Sequence, residues 1–128
     1  MKILQIEDRE RYLLDGVDSV ATLEEAQELM KKQDYGIFVL DGNFPLNKGD
    51  EPDINVQAAV EFIKSKNPGA KIIVWANSIR AQKYAEDNNI TRFAKKEKSE
   101  EHIQKMKQYG LKGYPEVKDK EHILEEIR

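Results

Sequence analysis

Acidic and basic side chains end several apolar runs of this sequence, at positions where they could share one site. Glu7 and Asp8 directly follow the first apolar run, Asp41 follows the third, and Lys95 and Lys96 follow the last. Carboxylates that lie close together repel one another unless a cation, a shared proton or a lysine offsets their charge. Their oxygen atoms are the ligands that Mg²⁺ prefers. If the fold brings these run ends together, the result is a magnesium site beside a lysine, which is chemically a phosphoryl-binding site.

The apolar runs alternate with helical patterns along the chain. Five runs have the length of strands, at residues 2–6, 17–21, 36–40, 71–76 and 91–94. Periodicity and capping residues predict helices that begin at Thr22, near Asp53, at Asn77 or Ser78, at Ser99 and at Asp119. This alternation predicts a three-layer α/β/α sandwich around a five-stranded parallel sheet. Ligands of such sheets bind beyond the carboxyl ends of the strands, where the candidate residues lie.

The composition excludes several other kinds of chemistry. The 128 residues fit one ordinary domain, and they include no cysteine and only two histidines, His102 and His122. Disulfides, thiolate zinc sites and cysteine nucleophiles are therefore excluded, and histidines are too few for a histidine-rich metal site. No apolar run approaches the roughly 20 residues that a membrane span needs. We expect a soluble, cytoplasmic protein that does not associate with membranes.

The net charge of −3 is unevenly distributed along the chain. Residues 1–61 carry 14 acidic and 6 basic side chains, whereas residues 62–128 carry 10 acidic and 15 basic side chains. The basic residues are interspersed with glutamates, and the sequence has no helix-turn-helix signature. We therefore expect a solvated surface and no nucleic-acid binding.

Each candidate residue also has a simpler explanation when it is taken alone. Acids that follow a strand are common in turns, and the pair Asp41-Gly42 is a frequent turn pair. The charged run 95–98 is typical of a solvated surface. Ser78 is more typical of a helix cap than of a phosphate ligand. Taken together at matching strand ends, however, the acids and the lysine favour a shared site.

Three segments, in this order, carry a family resemblance. Residues 3–8 (ILQIED) resemble the first strand and the acidic pair of receiver domains in two-component response regulators. Residues 39–41 (VLD) with Pro45 resemble the phosphoacceptor strand of that family, and residues 93–96 (FAKK) resemble its fifth strand. The resemblance spans residues 1–110 and implies the flavodoxin-like, or CheY-like, strand order 2-1-3-4-5. Residues 111–128 then form a C-terminal loop and helix.

The resemblance implies a phosphoacceptor site with assigned roles. Asp41 would accept the phosphoryl group, Lys96 would neutralise the transferring oxygens, and Phe93 would occupy the aromatic switch position. Mg²⁺ would be bound by Glu7, Asp8, Asp41 and the backbone carbonyl of Asn43. A histidine kinase or a phosphotransfer protein would supply the phosphoryl group. The added charge would change the affinity for a downstream protein target.

The sequence departs from the family pattern at four places. Ala76 stands where the family has a hydroxyl residue, and Ser78, two positions later, is the candidate substitute. Glu97 stands where the family usually has proline, and residues 47–54 resemble an insertion. Residues 9–16 are also too few for the family's first helix, whose loss would expose one face of the sheet. We therefore expect the C-terminal helix, 119–128, to fold back over that face or into a partner subunit, which would make a homodimer.

Three functions remain open. The first is a stand-alone receiver that is phosphorylated on Asp41 and signals through altered protein binding, without being an enzyme. The second is a degenerate receiver-like interaction module without phosphotransfer, for which Ala76 and the missing helix argue. The third is a magnesium-dependent phosphohydrolase, but no second nucleophile or general acid is placed to release phosphate quickly.

Overall fold

A computed structural model, which describes residues 2–128, has a five-stranded parallel sheet. Its strands are β1 (Ile3–Ile6), β2 (Asp18–Val20), β3 (Ile37–Leu40), β6 (Lys71–Trp75) and β7 (Thr91–Phe93), and they lie side by side in the order β2-β1-β3-β6-β7. The helices are α1 (Leu23–Lys32), α2 (Val56–Lys66), α3 (Ile79–Asp87), α4 (Glu100–Gln108) and α5 (Lys120–Glu126). The predicted three-layer fold and strand order are confirmed, because an inserted pair of short strands changes only the numbering.

One face of the sheet is covered by the first three helices. Ala26 of α1, Ala59 of α2 and Ala81 of α3 are buried against it, in one cluster with residues of β1, β3 and β6. Thr22 caps the start of α1 as predicted: its Oγ1 accepts a hydrogen bond from the backbone N–H of Glu25 at 3.1 Å and donates to Glu25 Oε1 at 3.0 Å. Side-chain caps at Thr22 and Ser78 determine where α1 and α3 begin, and the apolar stripes determine which side of each helix is buried.

The other face of the sheet has a 3-10 turn, Glu10–Tyr12, in place of a first helix. The buried side chain of Gln5 secures this short connection. Its amide nitrogen donates to the carbonyl of Tyr12, and its amide oxygen accepts from the backbone N–H of Leu14, both at 2.9 Å. Two hydrogen bonds therefore stabilise a connection that is too short for a helix.

The C-terminal helix α5 covers this second face within the same chain. Ile123 and Ile127 are buried in one cluster with Leu14 and with the sheet residues Trp75 and Phe93. Burial of one isoleucine side chain contributes about 1.5–3 kcal/mol. The segment before α5 also extends the sheet edge, since the backbone N–H of Ala94 donates to the carbonyl of Glu116 at 2.9 Å.

The segment after β3 is more ordered than the long loop that the sequence predicts. Asn43–Phe44 (β4) and Asp53–Ile54 (β5) form a small antiparallel pair of strands. The next helix begins at Val56 rather than near Asp53, because Asp53 belongs to this pair. Among residues 2–128, no helix is long and apolar enough to cross a membrane.

Candidate functional site

The register of the sheet brings the predicted acids together. Ile6 of β1 pairs with Leu40 of β3, so Glu7 and Asp41 leave the sheet side by side. Glu7, Asp8 and Asp41 each offer a carboxylate oxygen, and these three oxygens lie within 4.8 Å of one another. Glu7 is buried, Asp41 is half-buried and Asp8 is exposed. Three convergent carboxylates with access to solvent fit the oxygen donors that Mg²⁺ prefers.

The lysine beside these acids is Lys95, not the predicted Lys96. Lys95 Nζ lies 2.9 Å from Asp41 Oδ1 and also forms an ion pair with Glu7. The Lys95 side chain is only 3% exposed, whereas Lys96 is exposed. Side chains alternate in direction along an extended segment, so of two adjacent lysines only one points into the site.

A change of the site lysine from Lys96 to Lys95 would also move the aromatic switch position. If Lys95 takes the role that was assigned to Lys96, the residue three positions earlier is Arg92 rather than Phe93. Phe93 is buried in the cluster beneath α5. Arg92 instead forms an ion pair with Glu86 at 2.9 Å and donates to the side chain of Gln82 at 3.0 Å.

The ammonium of Lys95 also lies against two aromatic rings. Its nitrogen is 4.4 Å from the ring centroid of Tyr12 and 5.5 Å from that of Trp75. A cavity of about 330 Å³ opens beside these rings, between the 3-10 turn and the start of α5. The Lys95 side chain therefore lies between two carboxylates and two aromatic faces, all of which attract a cation.

The electrostatics of the site favour an added cation. Burial raises the pKa of Glu7, the nearby Asp41 carboxylate raises it further, and Lys95 lowers it. Lys95 pairs with two of the three carboxylates, so the cluster retains a negative charge that a divalent cation would neutralise.

Ser78 and Asn43 occupy structural positions at the rim of the site. Ser78 Oγ accepts from the backbone N–H of Ala81 at 3.2 Å and so caps α3. Asn43 begins β4, where it pairs with Ile54. The residue after the phosphoacceptor candidate, Gly42, lies directly against this region. A Cβ atom there would be 2.9 Å from Ala81 Cβ and 3.0 Å from Ser78 Cβ.

Sequence reasoning missed the part that Asn77 takes in the site. Asn77 Oδ1 accepts hydrogen bonds from the backbone N–H groups of Lys95, at 2.9 Å, and Lys96, at 3.3 Å. The sequence indicates Asn77 only as a strand-end residue or helix cap. No local pattern links it to residues 18 positions away, which come together only through the pairing of β6 with β7.

Comparison with solved structures supports the fold. No family model and no curated protein matches the chain. Two solved structures of the RcsB response regulator of Salmonella typhimurium, which were studied for DNA interaction, are similar to it. One has a TM-score of 0.58 and 15% identity over 99% of this chain and 77% of that one. The other has a TM-score of 0.54 and 17% identity over 88% and 70%. The chain therefore shares its fold with these response-regulator structures.

Proposed function

We propose that this protein is a receiver that accepts a phosphoryl group on Asp41 in a magnesium-dependent manner and signals through altered protein binding. The observation that carries the proposal is the meeting of Glu7, Asp8 and Asp41 with Lys95 at the carboxyl edge of the sheet. The receiver-domain fold is consistent with it. The role that the family resemblance assigns to Lys96 passes to Lys95.

The chemistry is a phosphoryl transfer between two partners. An oxygen of Asp41 attacks the phosphorus of a histidine phosphate or an acyl phosphate, an O–P bond forms, and the bond from phosphorus to the donor breaks. The donor leaves with its electron pair: the imidazole of a histidine phosphate takes up a proton from solvent, whereas the carboxylate of an acyl phosphate leaves as the anion. Lys95 holds Asp41 Oδ1, so Oδ2 is the attacking oxygen. Mg²⁺, held by the three carboxylates, would neutralise charge on the transferring oxygens.

The upstream partner would be a histidine kinase or a phosphotransfer protein, and the downstream partner a target protein. The product carries about −1.5 to −2 charge beside Lys95, in place of the single negative charge of the Asp41 carboxylate. This charge competes with Glu7 for the Lys95 ammonium, which also contacts Tyr12 and Trp75. A change at Asp41 therefore reaches the aromatic residues beneath the C-terminal segment.

The direct test is incubation with acetyl phosphate, with and without MgCl₂, followed by intact-mass measurement. We expect a gain of one phosphoryl group in the presence of magnesium, and none in Asp41→Asn. The exposed Asp15 offers a matched control, and Asp15→Asn should be modified like the wild type. A protein that gains no mass under these conditions would refute the proposal.

The second candidate function is an interaction module without phosphotransfer. Three observations favour it: Lys95 already pairs with both Glu7 and Asp41, Ala76 offers no hydroxyl, and the Ser78 hydroxyl caps α3. In this case neither magnesium nor beryllium fluoride shifts the backbone resonances of the residues around Asp41. Continued release of phosphate over many turnovers would instead support a phosphohydrolase.

A further inference from the structure

Two adjacent lysines follow β7, and the register of this segment decides which of them points into the site. Lys95 and Lys96 have the same chemistry, and a shift of one residue would exchange the buried lysine for the exposed one. The structure places Lys95 inside, with its side chain 3% exposed, and Lys96 outside. Something other than side-chain chemistry must therefore select between them.

The side-chain amide of Asn77 holds the backbone at this point. Its oxygen accepts from the N–H of Lys95 at 2.9 Å and from the N–H of Lys96 at 3.3 Å. Because backbone N–H groups only donate, the amide atom that faces them is the oxygen. One acceptor that binds two consecutive N–H groups determines the direction in which each of the two side chains leaves the backbone.

The residue before Asn77 is itself held in place by hydrogen bonds. The preceding residue, Ala76, donates its N–H to the carbonyl of Phe93 at 3.0 Å, and its carbonyl accepts from the buried amide of Gln82 at 2.8 Å. The Gln82 amide also donates to the carbonyl of Phe93 at 3.1 Å. The ends of β6 and β7 are thus joined immediately before the pair Asn77 and Lys95.

We infer that Asn77 is a positioning residue that selects Lys95, rather than Lys96, as the lysine of the phosphoacceptor site. The inference rests on the proposed function for its consequence in phosphoryl transfer, but its structural part holds for the free protein. Asn77 acts through Lys95. Without its oxygen, the segment 95–98 loses the two hydrogen bonds that hold it in register.

The structural part is tested by amide hydrogen exchange in the free protein, with no phosphodonor present. In Asn77→Ala, exchange of the Lys95 amide should accelerate by about tenfold or more, because the side-chain oxygen that accepts its hydrogen bond is removed. Asn77→Asp keeps an oxygen acceptor and should restore most of the protection. Asn47→Ala, in the exposed insertion, serves as the matched control and should leave this amide unchanged. Unchanged protection in Asn77→Ala would overturn the inference.

The functional part is tested by combining variants and measuring the rate of phosphoryl uptake from acetyl phosphate. With Asn77 present, Lys95→Gln should reduce the rate by at least about tenfold, and Lys96→Gln should leave it within about twofold. In the Asn77→Ala background, Lys96→Gln should reduce the rate further, because Lys96 then also reaches the site. If each lysine variant changed the rate of phosphoryl uptake by the same factor with Asn77 and with Asn77→Ala, Asn77 would not select between the two lysines.

Failure of the inference is distinguishable from failure of the proposed function. A wild-type protein that gains no phosphoryl group refutes the receiver proposal, whereas amide exchange still decides whether Asn77 holds the two lysines in register. A wild-type protein that is phosphorylated, with Asn77→Ala phosphorylated at the same rate and through Lys95 alone, refutes only the inference.

Discussion

The backbone of the candidate site packs closely against α3 at Gly42. Gly42 follows Asp41 directly, and its backbone leaves no room for a side chain beside α3, since an added Cβ would lie 2.9 Å from Ala81 Cβ and 3.2 Å from Ala76 Cβ. Real Cβ atoms essentially never come within 3.0 Å of another atom, so a larger residue must displace Ala81 and with it the start of the helix. The position of Asp41 is therefore coupled to the packing of α3.

We predict that Gly42→Ala destabilises the protein by about 1–3 kcal/mol, which is the usual cost of overpacking. Urea unfolding monitored by Trp75 fluorescence measures this change. Gly69→Ala is the matched control, because the nearest atom to its added Cβ is Asn67 Oδ1 at an ordinary 3.7 Å. Equal unfolding midpoints for the two variants would contradict the close packing at Gly42.

Helix α5 covers the face of the sheet on which a 3-10 turn stands in place of a first helix. Ile123 is fully buried and packs in one cluster with Trp75 and Phe93. We predict that Ile123→Ala lowers the free energy of unfolding by about 2–5 kcal/mol, as for other large-to-small substitutions in cores. The exposed Glu125 on the same helix provides the control, and Glu125→Ala should change stability by less than about 0.5 kcal/mol.

Removal of the whole helix tests the same idea more severely. A protein truncated after residue 118 would expose the apolar face formed by Ile37, Val39, Ile73 and Trp75. Loss of folding or self-association in size-exclusion chromatography is the expected result. If the truncated protein were as stable and soluble as the full chain, α5 would not be part of the core.

Helix α4 carries a histidine whose environment disfavours its charged form. Burial lowers the pKa of His102 below its ordinary value of 6.5, and the nearby Lys98 and Lys105 lower it further. The unfolded chain therefore binds a proton at this position at a higher pH than the folded chain does. Stability from this group is fully present well above pH 6.5 and decreases as the pH falls through 6.5 toward the lowered value.

We predict that His102→Gln makes the free energy of unfolding less dependent on pH below 6.5. Urea unfolding of the wild type and the variant at pH 8 and at two values below 6.5 measures the difference. The comparison at pH 8, where the histidine is neutral in both states, separates the packing effect of the substitution from its titration. Parallel curves for the two proteins across this range would contradict the role of His102.

Features of the molecule that depend on local sequence patterns can be predicted from the sequence, whereas features that depend on contacts between distant segments cannot. The helix cap at Thr22, the strand runs and the positions of Glu7 and Asp41 at strand ends depend on local patterns, and the sequence indicates them. The identity of the inner lysine depends on contacts between distant segments. Lys95 and Lys96 are indistinguishable by type, and Asn77 selects between them only after β6 and β7 have paired. The short pair β4–β5 lies in a segment rich in proline and glycine, and these residues predict a loop rather than strands.

Binding of Mg²⁺ to the three carboxylates should stabilise the whole fold. A cation that binds the folded state alone stabilises it by about 2.7 kcal/mol at a concentration 100-fold above its dissociation constant. We expect MgCl₂ to raise the melting temperature of the wild type relative to NaCl of equal ionic strength. Asp8→Asn should abolish most of this response with little effect on folding, because Asp8 is the exposed member of the three carboxylates. Asp15→Asn should respond like the wild type, and an undiminished response in Asp8→Asn would place the cation elsewhere.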